Sequence, residues 1–272
     1  MRKLREKFPD ELVVIGVHSA KFTSEQSTEN IRQAVMREGI EHPVVNDAGM
    51  KIWNAYAVRA WPTLILIDPH GRIAGEASGE ILAEEFAENI RGVIQQNPEA
   101  VKRTSPGHGR EVEEEPDRPL RFPAKILLSG DRLFISDTGH HRIIEVRLDE
   151  DGLGGEVGRV FGCGEAGLGD GPADQARFNS PRGLSLAGDL ENGTLYVADT
   201  DNHAVRAISL PGGAVTTVAG TGQKAHGRRS LGLPAQTALR SPWAVLALDG
   251  YLFIAMAGSH QVWMLTGENQ VG

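Results

Sequence analysis

The stretch that decides the fold reads Leu195-Tyr196-Val197-Ala198-Asp199-Thr200-Asp201-Asn202-His203-Ala204-Val205. Two related stretches begin at Leu133 and Leu252, 62 residues before it and 57 residues after it. A period of this size indicates an array of one supersecondary unit. The second half of the chain is therefore predicted to be a repeat protein.

Each copy has the pattern of a β-hairpin. An apolar run such as Leu195 to Val197 favours a strand, and the Asp-Thr-Asp-Asn that follows it is typical of a turn. A second run, here Ala204 to Leu210, predicts the returning strand. A proline precedes each hairpin, and Pro123, Pro181 and Pro242 lie 58 and 61 residues apart. The period thus holds for two independent landmarks.

The hairpins resemble those of the NHL-repeat family. Asp199 to His203, followed by Val205 and Arg206, is close to the family's turn, and Gly-x-Gly loops follow the first two hairpins. The third copy has Met256 where the aspartate belongs, which makes it the weakest match. The resemblance implies an all-β partial β-propeller of about three blades over residues 119–272.

Three blades do not close a ring, because propellers have about four to eight. We therefore expect this chain to be a fragment of a longer propeller protein, or to close its open propeller by self-association.

The first hundred residues alternate between strand and helix patterns. Val13 to Val17 and Leu64 to Asp68 are apolar runs of the kind found in strands buried on both faces. Helices are predicted over residues 24–37, 50–58 and 81–96, and short strands over residues 42–47 and near residue 73. In the first helix, Ile31, Val35 and Met36 form an apolar stripe. This alternation is typical of an α/β domain.

This order of elements, with Trp61-Pro62-Thr63 directly before an apolar strand, resembles the thioredoxin-like (redoxin) fold. The resemblance implies that the Trp61–Pro62 peptide bond is cis and that the backbone beside it lies against bound substrate. Trp61, Pro62 and Thr63 are thus the predicted substrate-binding residues. The whole chain resembles proteins in which a thioredoxin-like domain precedes NHL repeats.

The reactive Cys-x-x-Cys of the thioredoxin-like family is missing. That motif sits at a helix N-terminus, where the helix dipole and free amide groups lower the thiol pKa. This chain has one cysteine, Cys163, in a Gly-rich loop of the repeats. We therefore predict no catalytic residue and no redox activity for this chain.

Residues 1–8 have the pattern of the end of the helix that carries this motif. We therefore expect the first domain to be incomplete, without the strand that leads into the motif and the helix start. The strands at residues 13–17 and 64–68 flank that strand in the family. Without it they must pair with each other or keep exposed edges.

Three histidines, His141, His203 and His260, share one position in the repeats. Three histidines can ligate a metal, but equal positions on neighbouring blades are held apart by the blade spacing. We favour a structural interpretation, in which each histidine orders its own turn and Asp137 or Asp199 accepts backbone N–H groups. We expect no metal and no cofactor.

Asp47 and Asp68 allow two interpretations as well. They could form an acid/base pair. We favour structural roles, in which Asp47 caps the helix that follows it and Asp68 nucleates a turn.

A linker is predicted between the two halves. Residues 99–118 contain two prolines, Pro106 and Pro116, and an acidic run, without apolar periodicity, which is typical of a solvated spacer. The predicted domains are residues 1–98, thioredoxin-like, and residues 119–272, the propeller.

Composition disfavours several classes of function. The net charge of −8 and the scattered Lys and Arg residues argue against nucleic-acid binding. No apolar stretch approaches the roughly 20 residues of a membrane span, and no cleavable signal pattern opens the sequence. We expect a cytoplasmic protein without nucleic-acid or membrane partners.

Two functions follow from these patterns. In the first, this chain is non-catalytic and binds a protein or peptide partner through the propeller loops and the groove beside Pro62. In the second, which the resemblance implies, a full-length parent protein is a thiol-disulfide oxidoreductase or peroxidase-like enzyme. An upstream Cys-x-x-Cys would identify it. A propeller lyase or lactonase is a weaker third option, because we find no cluster of His, Asp or Glu for a central channel.

Overall fold

The structure is a computed structural model that describes residues 1–79, 83–98, 118–225 and 232–266. The chain divides into two compact units, residues 1–116 and residues 117–272, here called domain 1 and domain 2. The predicted linker lies almost wholly outside the described residues, as do Ile81 and Leu82 of the third predicted helix. The predicted domain boundaries stay a prediction.

Domain 1 is an α/β unit. Its described residues form α1 (Arg2–Lys7), β1 (Gly16–His18), α2 (Thr28–Arg37), β2 (Val44–Asn46), α3 (Lys51–Ala55), β3 (Thr63–Ile67), β4 (Ile73–Ser78) and α4 (Ala83–Gln96). β1 and β2 pair in parallel, and β3 and β4 pair antiparallel. Among the described residues, no helix has the length and apolar character needed to cross a membrane.

Helix α2 starts where the sequence supplies a cap. Ser27 has an extended backbone, and its hydroxyl accepts a hydrogen bond from the Asn30 N–H at 3.5 Å. The helix therefore begins at Thr28, and Thr23–Gln26 forms a separate 3-10 turn, so the predicted start at residue 24 is wrong. The predicted stripe is confirmed, because Ile31, Val35 and Met36 are buried.

The core of domain 1 lies between α1, α4 and the β3–β4 sheet. It consists of Leu4, Phe8, Leu66, Phe86, Ala87 and Ile90. Phe86 and Ile90 lie one turn apart on α4, so both face the sheet. Burial of each large side chain contributes roughly 1.5–3 kcal/mol, which holds α1 and α4 on the strands.

The strand predicted at Val13 to Val17 is shorter and more exposed than expected. Only Gly16–His18 forms a strand, and Val13, Ile15 and Val17 are 50%, 59% and 43% exposed. These three side chains alternate along the chain and therefore share one face, which is uncovered. The prediction of a strand buried on both faces is wrong here, because an apolar run does not reveal whether a second layer covers it.

β1 and β3 keep open edges within the described residues. β1 pairs with β2 and β3 pairs with β4, and the two pairs form separate sheets. Of the two outcomes expected for these strands, the structure has exposed edges rather than direct pairing.

Domain 2 contains three antiparallel sheets in its described residues, here called blades 1 to 3. Blade 1 comprises β5 (Pro123–Ser129), β6 (Arg132–Asp137), β7 (Arg142–Leu148) and β8 (Gly155–Phe161). Blade 2 comprises β9 (Pro181–Ala187), β10 (Thr194–Asp199), β11 (Ala204–Ser209) and β12 (Val215–Ala219). Blade 3 comprises β13 (Pro242–Leu248), β14 (Tyr251–Met256) and β15 (Gln261–Leu265). β9 contacts both β5 and β13, so the blades stand side by side. The predicted partial propeller is confirmed.

Apolar clusters fill the spaces between neighbouring blades. Phe134 and Phe161 of blade 1 belong to the same buried cluster as Val197 of blade 2. Ala198, the next residue, belongs instead to the cluster that blade 2 shares with Ile254 of blade 3. Successive side chains of a strand point to opposite faces, so blade 2 is buried on both sides.

Gly183 sets the distance between β9 and β13. A Cβ atom at this position would lie 2.5 Å from the Ala244 Cα and 2.9 Å from the Trp243 carbonyl oxygen. The close approach of the two backbones therefore requires glycine.

Candidate functional site

The predicted substrate-binding segment, Trp61-Pro62-Thr63, lies where the chain enters β3. The Trp61–Pro62 peptide bond is cis, as predicted. The Pro62 carbonyl accepts the Gly79 N–H at 2.9 Å, and the Thr63 hydroxyl donates to the Ala60 carbonyl at 2.8 Å. These bonds hold the segment at the end of the β3–β4 pair.

Trp61 is ordered and half exposed. Its indole Nε1 donates to the Ser19 carbonyl at 2.9 Å, and its ring packs on Trp53 with centroids 4.2 Å apart. The Lys21 ammonium lies 5.9 Å from the centroid of the Trp61 ring and 5.7 Å from that of Phe22. Trp61 and Phe22 are 48% and 59% exposed. The end of β1 and the start of β3 thus form one surface, with two aromatic rings around a lysine.

Asp47 organises the residues that support Trp61. Its carboxylate accepts the N–H groups of Ile52 and Trp53 at 3.0 and 2.9 Å and the Ser19 hydroxyl at 2.9 Å. The predicted helix cap is confirmed. Ser19 and Trp53 are the residues that contact Trp61, and Asp47 hydrogen-bonds to both of them. Asp47 therefore holds the two residues that support the Trp61 ring.

The electrostatics of Asp47 and Asp68 fit structural roles. Burial opposes the charged form of Asp47, but its N–H and hydroxyl donors outweigh this effect and hold its pKa below the ordinary value. The pKa of Asp68 is lowered as well, first by the Arg72 N–H and then by the His70 N–H, each 2.9 Å away. Both carboxylates are charged acceptors at neutral pH, and the predicted turn at Asp68 is confirmed.

Cys163 is exposed and lies two residues after β8, in domain 2. Its backbone N–H donates to the Ala176 carbonyl at 2.9 Å. The 272-residue sequence has no other cysteine, so this chain has no second thiol with which to form a dithiol pair.

In domain 2, Asp137 and Asp199 are fully buried at the ends of β6 and β10. Asp137 accepts the Arg121 N–H at 2.6 Å, and Asp199 accepts the Asn179 N–H at 2.7 Å. Arg121 and Asn179 open the lead-in segments of the blades, which we define as residues 121–123, 179–181 and 240–242. The predicted role of each aspartate as a backbone acceptor is confirmed, and each one ties the turn to the start of its own blade.

Each aspartate also binds a cation, but the arginine differs between blades. Asp137 accepts from the Arg142 Nε at 2.8 Å. Asp199 accepts from a terminal nitrogen of Arg206 at 2.9 Å, and both side chains are fully buried. Arg206 also bonds to Asp170 at 2.8 Å. Burial raises the pKa of Asp199 to about 6, in spite of its three donors.

The histidines of the turns join neighbouring blades. The His141 Nδ1 accepts the Ser180 N–H at 3.1 Å, and the His203 Nδ1 accepts the Ser241 N–H at 3.1 Å. This corrects the prediction that each histidine orders its own turn, because the bonded serine belongs to the lead-in segment of the next blade. Burial lowers the pKa of both rings, so Nδ1 can accept a hydrogen bond at neutral pH.

Threonines of the same turns make a parallel bond. The hydroxyls of Thr138 and Thr200 each donate, at 2.7 Å, to the carbonyl of the proline in the next lead-in segment. These threonines and serines were not among the predicted functional residues. Their signal is in the sequence, because Ser180-Pro181 and Ser241-Pro242 recur with the period of the hairpins.

His260 has the same backbone conformation but another environment. Its φ of 56° matches the 53° of His141 and the 49° of His203. It is exposed, and its ring has no hydrogen-bond partner within the described residues. In residues 1–79, 83–98, 118–225 and 232–266, no group of three or more His, Cys, Asp or Glu is placed to hold a metal ion.

Comparisons with known proteins agree with this architecture. A family model described as thioredoxin-like matches residues 1–73. NHL repeat-containing protein 2 of Gallus gallus is 38% identical over 282 residues, which cover 98% of this chain and 38% of that protein. The chain is a thioredoxin-like protein with NHL repeats.

This thioredoxin-like NHL-repeat chain spans 36–38% of the length of the NHL repeat-containing protein 2 relatives that it matches. The thiol-disulfide oxidoreductase ResA of Halalkalibacterium halodurans is 34% identical over 89 residues, which cover 32% of this chain and 51% of that protein. An auxiliary nutrient binding protein from Bacteroides thetaiotaomicron matches in structure with a TM-score of 0.46 and 20% identity, over 54% of this chain and 36% of that one.

Proposed function

We propose that this chain is a peptide-binding protein whose domain 1 holds an extended segment of a partner along the open edge of β3, beside Trp61, Pro62 and Thr63. The observation that carries the proposal is the half-exposed Trp61 at the start of β3, a strand that pairs only with β4 within the described residues. Addition of a strand to such an edge is a common mode of peptide recognition, in which backbone bonds give affinity and side-chain contacts give specificity.

The support around Trp61 favours binding. Its ring is held by Trp53 and by the Ser19 carbonyl, so little side-chain freedom is lost when a partner covers it. Lys21 places a positive charge beside the ring. The preferred peptide therefore has an apolar or aromatic residue for Trp61 and a carboxylate for Lys21.

Thiol chemistry is not part of this function. Dithiol exchange requires two thiols that can pair, and this chain has Cys163 alone.

The Gly-rich loops of domain 2 give the protein partner a second surface, since loops held on a rigid framework are common binding elements. The cytoplasmic location stays a prediction.

A second candidate function applies to a longer parent protein. The 34% identity to ResA supports a thiol-disulfide oxidoreductase. The test is the genomic sequence upstream of Met1, where two cysteines separated by two residues would support this function.

The first test selects peptides from a phage-displayed heptapeptide library on the whole chain and measures their Kd by fluorescence anisotropy. About half of a tryptophan surface, on the order of 100 Å², is available for burial, which corresponds to at most about 2.5 kcal/mol. Trp61→Ala should therefore weaken binding by roughly 10- to 70-fold. Trp61→Phe keeps a ring and should lose less.

The matched control is Trp243→Ala, because Trp243 is 44% exposed but lies in domain 2. Equal affinity of the wild-type chain and Trp61→Ala would contradict the proposal. So would reduction of insulin disulfides above the buffer rate, with dithiothreitol as donor, if Cys163→Ser abolished it.

A further inference from the structure

Some arginines of domain 2 carry a charge that no carboxylate balances. Among those that are wholly or partly buried, four bind a carboxylate, namely Arg132, Arg142, Arg159 and Arg206. The others, Arg121, Arg182 and Arg240, have no carboxylate partner in the part of the chain that the structure describes. Buried charges are normally paired, so an arginine of this kind is a candidate site for an anion.

Arg182 differs from the other two in what holds its side chain. The stems of Arg121 and Arg240 each cover a glycine in the turn of their own blade. The Arg182 guanidinium instead reaches the next blade and lies over the Trp243 ring, with its Cζ 4.0 Å from the ring centroid. Of the three arginines, Arg182 is therefore the one whose charged group is fixed by a ring of another blade.

The backbone of Arg182 is fixed as well. Its carbonyl accepts the Ser136 hydroxyl of blade 1 at 2.6 Å, and Gly183, the next residue, lies at the close approach of β9 and β13. The Arg182 Nε is buried and has no hydrogen-bond partner among the described residues, so the terminal nitrogens are the ones that a ligand can reach. A guanidinium positioned in this way loses little conformational entropy when a ligand binds.

Arg182 and Trp243 lie where the blades converge. They are the second residues of β9 and β13, which are edge strands of their sheets, and β9 contacts both β5 and β13. In a propeller the strands on this side surround the central channel. Blade 2 has a blade on either side, so Arg182 is observed in the setting of an internal blade. The pair stands at one end of the channel strands, beside the lead-in segments.

We propose that the terminal N–H groups of Arg182, held on the Trp243 ring, bind a carboxylate of an acidic peptide, either an Asp or Glu side chain or a free C-terminus. A carboxylate matches this site in charge and in shape. It carries one negative charge, and its two oxygens fit the planar fork of a guanidinium. The ring covers one face of the guanidinium, so the peptide approaches along its edge. This site lies in domain 2 and is independent of the binding proposed beside Trp61.

The test is a fluorescence titration of the whole chain carrying Trp53→Phe and Trp61→Phe, here called the parent. The remaining tryptophans, Trp243 and Trp263, both lie in domain 2. Trp263 is buried, so a carboxylate that reaches the guanidinium should change the emission of Trp243. The signal comes from domain 2 alone, and the result does not depend on whether a peptide binds beside Trp61.

Three N-acetylated tripeptides with alanine at both ends serve as probes. The first has a central glutamate and an amidated C-terminus, and the second has a central glutamine and a free C-terminus. The third has a central glutamine and an amidated C-terminus and thus no carboxylate. The first or the second should saturate the signal below about 50 mM, since one charge-assisted contact supports a millimolar Kd. The neutral peptide should bind at least about tenfold more weakly.

The variants identify the side chain. Arg182→Met removes the charge but keeps an unbranched stem over Trp243, and it should weaken binding at least about tenfold. Arg182→Lys keeps the charge without the planar fork and should weaken binding roughly three- to tenfold. The matched control is Arg147→Met, which should bind like the parent, because Arg147 is exposed and lies at the far end of β7 from the turn. Urea unfolding shows whether each variant is folded.

Equal binding of the three peptides would overturn the proposal, as would the lack of a saturable change with any of them. So would equal losses for Arg182→Met and Arg147→Met, because binding would then follow the net charge of the domain. Inorganic phosphate that binds more tightly than both carboxylate peptides would show that the site takes a different anion. If Arg182→Met does not fold, parent-like affinity of Arg182→Lys would overturn the proposal, which assigns the affinity to the planar fork.

Discussion

The pair of Asp199 and Arg206 gives a sharp test of how domain 2 is held together. Arg206 is completely buried and donates to Asp199 at 2.9 Å. Arg206→Met removes the charge but keeps an unbranched apolar chain, so the carboxylate loses its cation. Breaking a buried ion pair in this way costs about 3–5 kcal/mol.

The pH dependence follows from the pKa of Asp199. In the wild-type protein the folded pKa of about 6 lies above the ordinary 3.8, so the free energy of unfolding falls as the pH rises from about 4 to 6 and then levels off. Without the guanidinium the carboxyl stays protonated to higher pH, and the fall continues above pH 6. The difference between wild type and Arg206→Met should therefore grow by about 1.4 kcal/mol per pH unit above 6.

Urea unfolding at pH 6, 7 and 8 measures this difference. In a Trp53→Phe, Trp61→Phe background, Trp243 and Trp263 report on domain 2 alone. The matched control is Arg142→Met, because Arg142 binds Asp137 in blade 1 but is 28% exposed. We expect this control to cost about 1–2 kcal/mol. Equal costs for the two arginines, or a cost for Arg206→Met that is the same at pH 6 and pH 8, would refute the reasoning.

Two further predictions concern the contact between blades 2 and 3. Gly183→Ala should lower the free energy of unfolding of domain 2 by about 1–3 kcal/mol, because the added methyl group meets the backbone at Ala244. The control is Gly212→Ala, which should change this free energy by less than about 0.5 kcal/mol because no atom lies within 4 Å of the added methyl group. Urea unfolding measures both variants. The pKa of His203 is lowered by burial, so its stabilising contribution is present above pH 6.5 and lost as the pH falls. Asparagine at position 203 keeps a hydrogen-bond acceptor and tolerates the positive φ. His203→Asn should therefore reduce the loss of stability at acid pH in the same unfolding experiment. An unchanged pH dependence would exclude the His203 ring as the cause of that loss.

Much of the fold could be predicted from local patterns. The recurrence of Asp199 and Pro181 in equivalent copies fixed the hairpins and the start of each blade, because strand runs and turn residues are short-range signals. The stripe of α2 was predicted for the same reason. The start of that helix was missed because Ser27, rather than the apolar period, decides where it begins.

The long-range contacts could not be predicted in this way. The partner of His141 lies 39 residues downstream, and nothing in its own turn reveals it. Arg206 replaces Arg142 as the cation of the turn although it occupies a different place in the repeat. In domain 1 the family resemblance placed Trp61, but Ser19 and Trp53 come from distant segments whose proximity depends on the folded chain.

The forward direction of the blade joints has a consequence for protein synthesis. Thr138 leaves the ribosome 43 residues before Pro181, to whose carbonyl it donates. At about 5–20 residues per second, the hydroxyl waits roughly 2–9 s for its acceptor. During this interval the newest sheet of a nascent chain exposes its forward side to solvent. A chaperone that recognises apolar surface then has a few seconds to bind it before the following sheet displaces the chaperone.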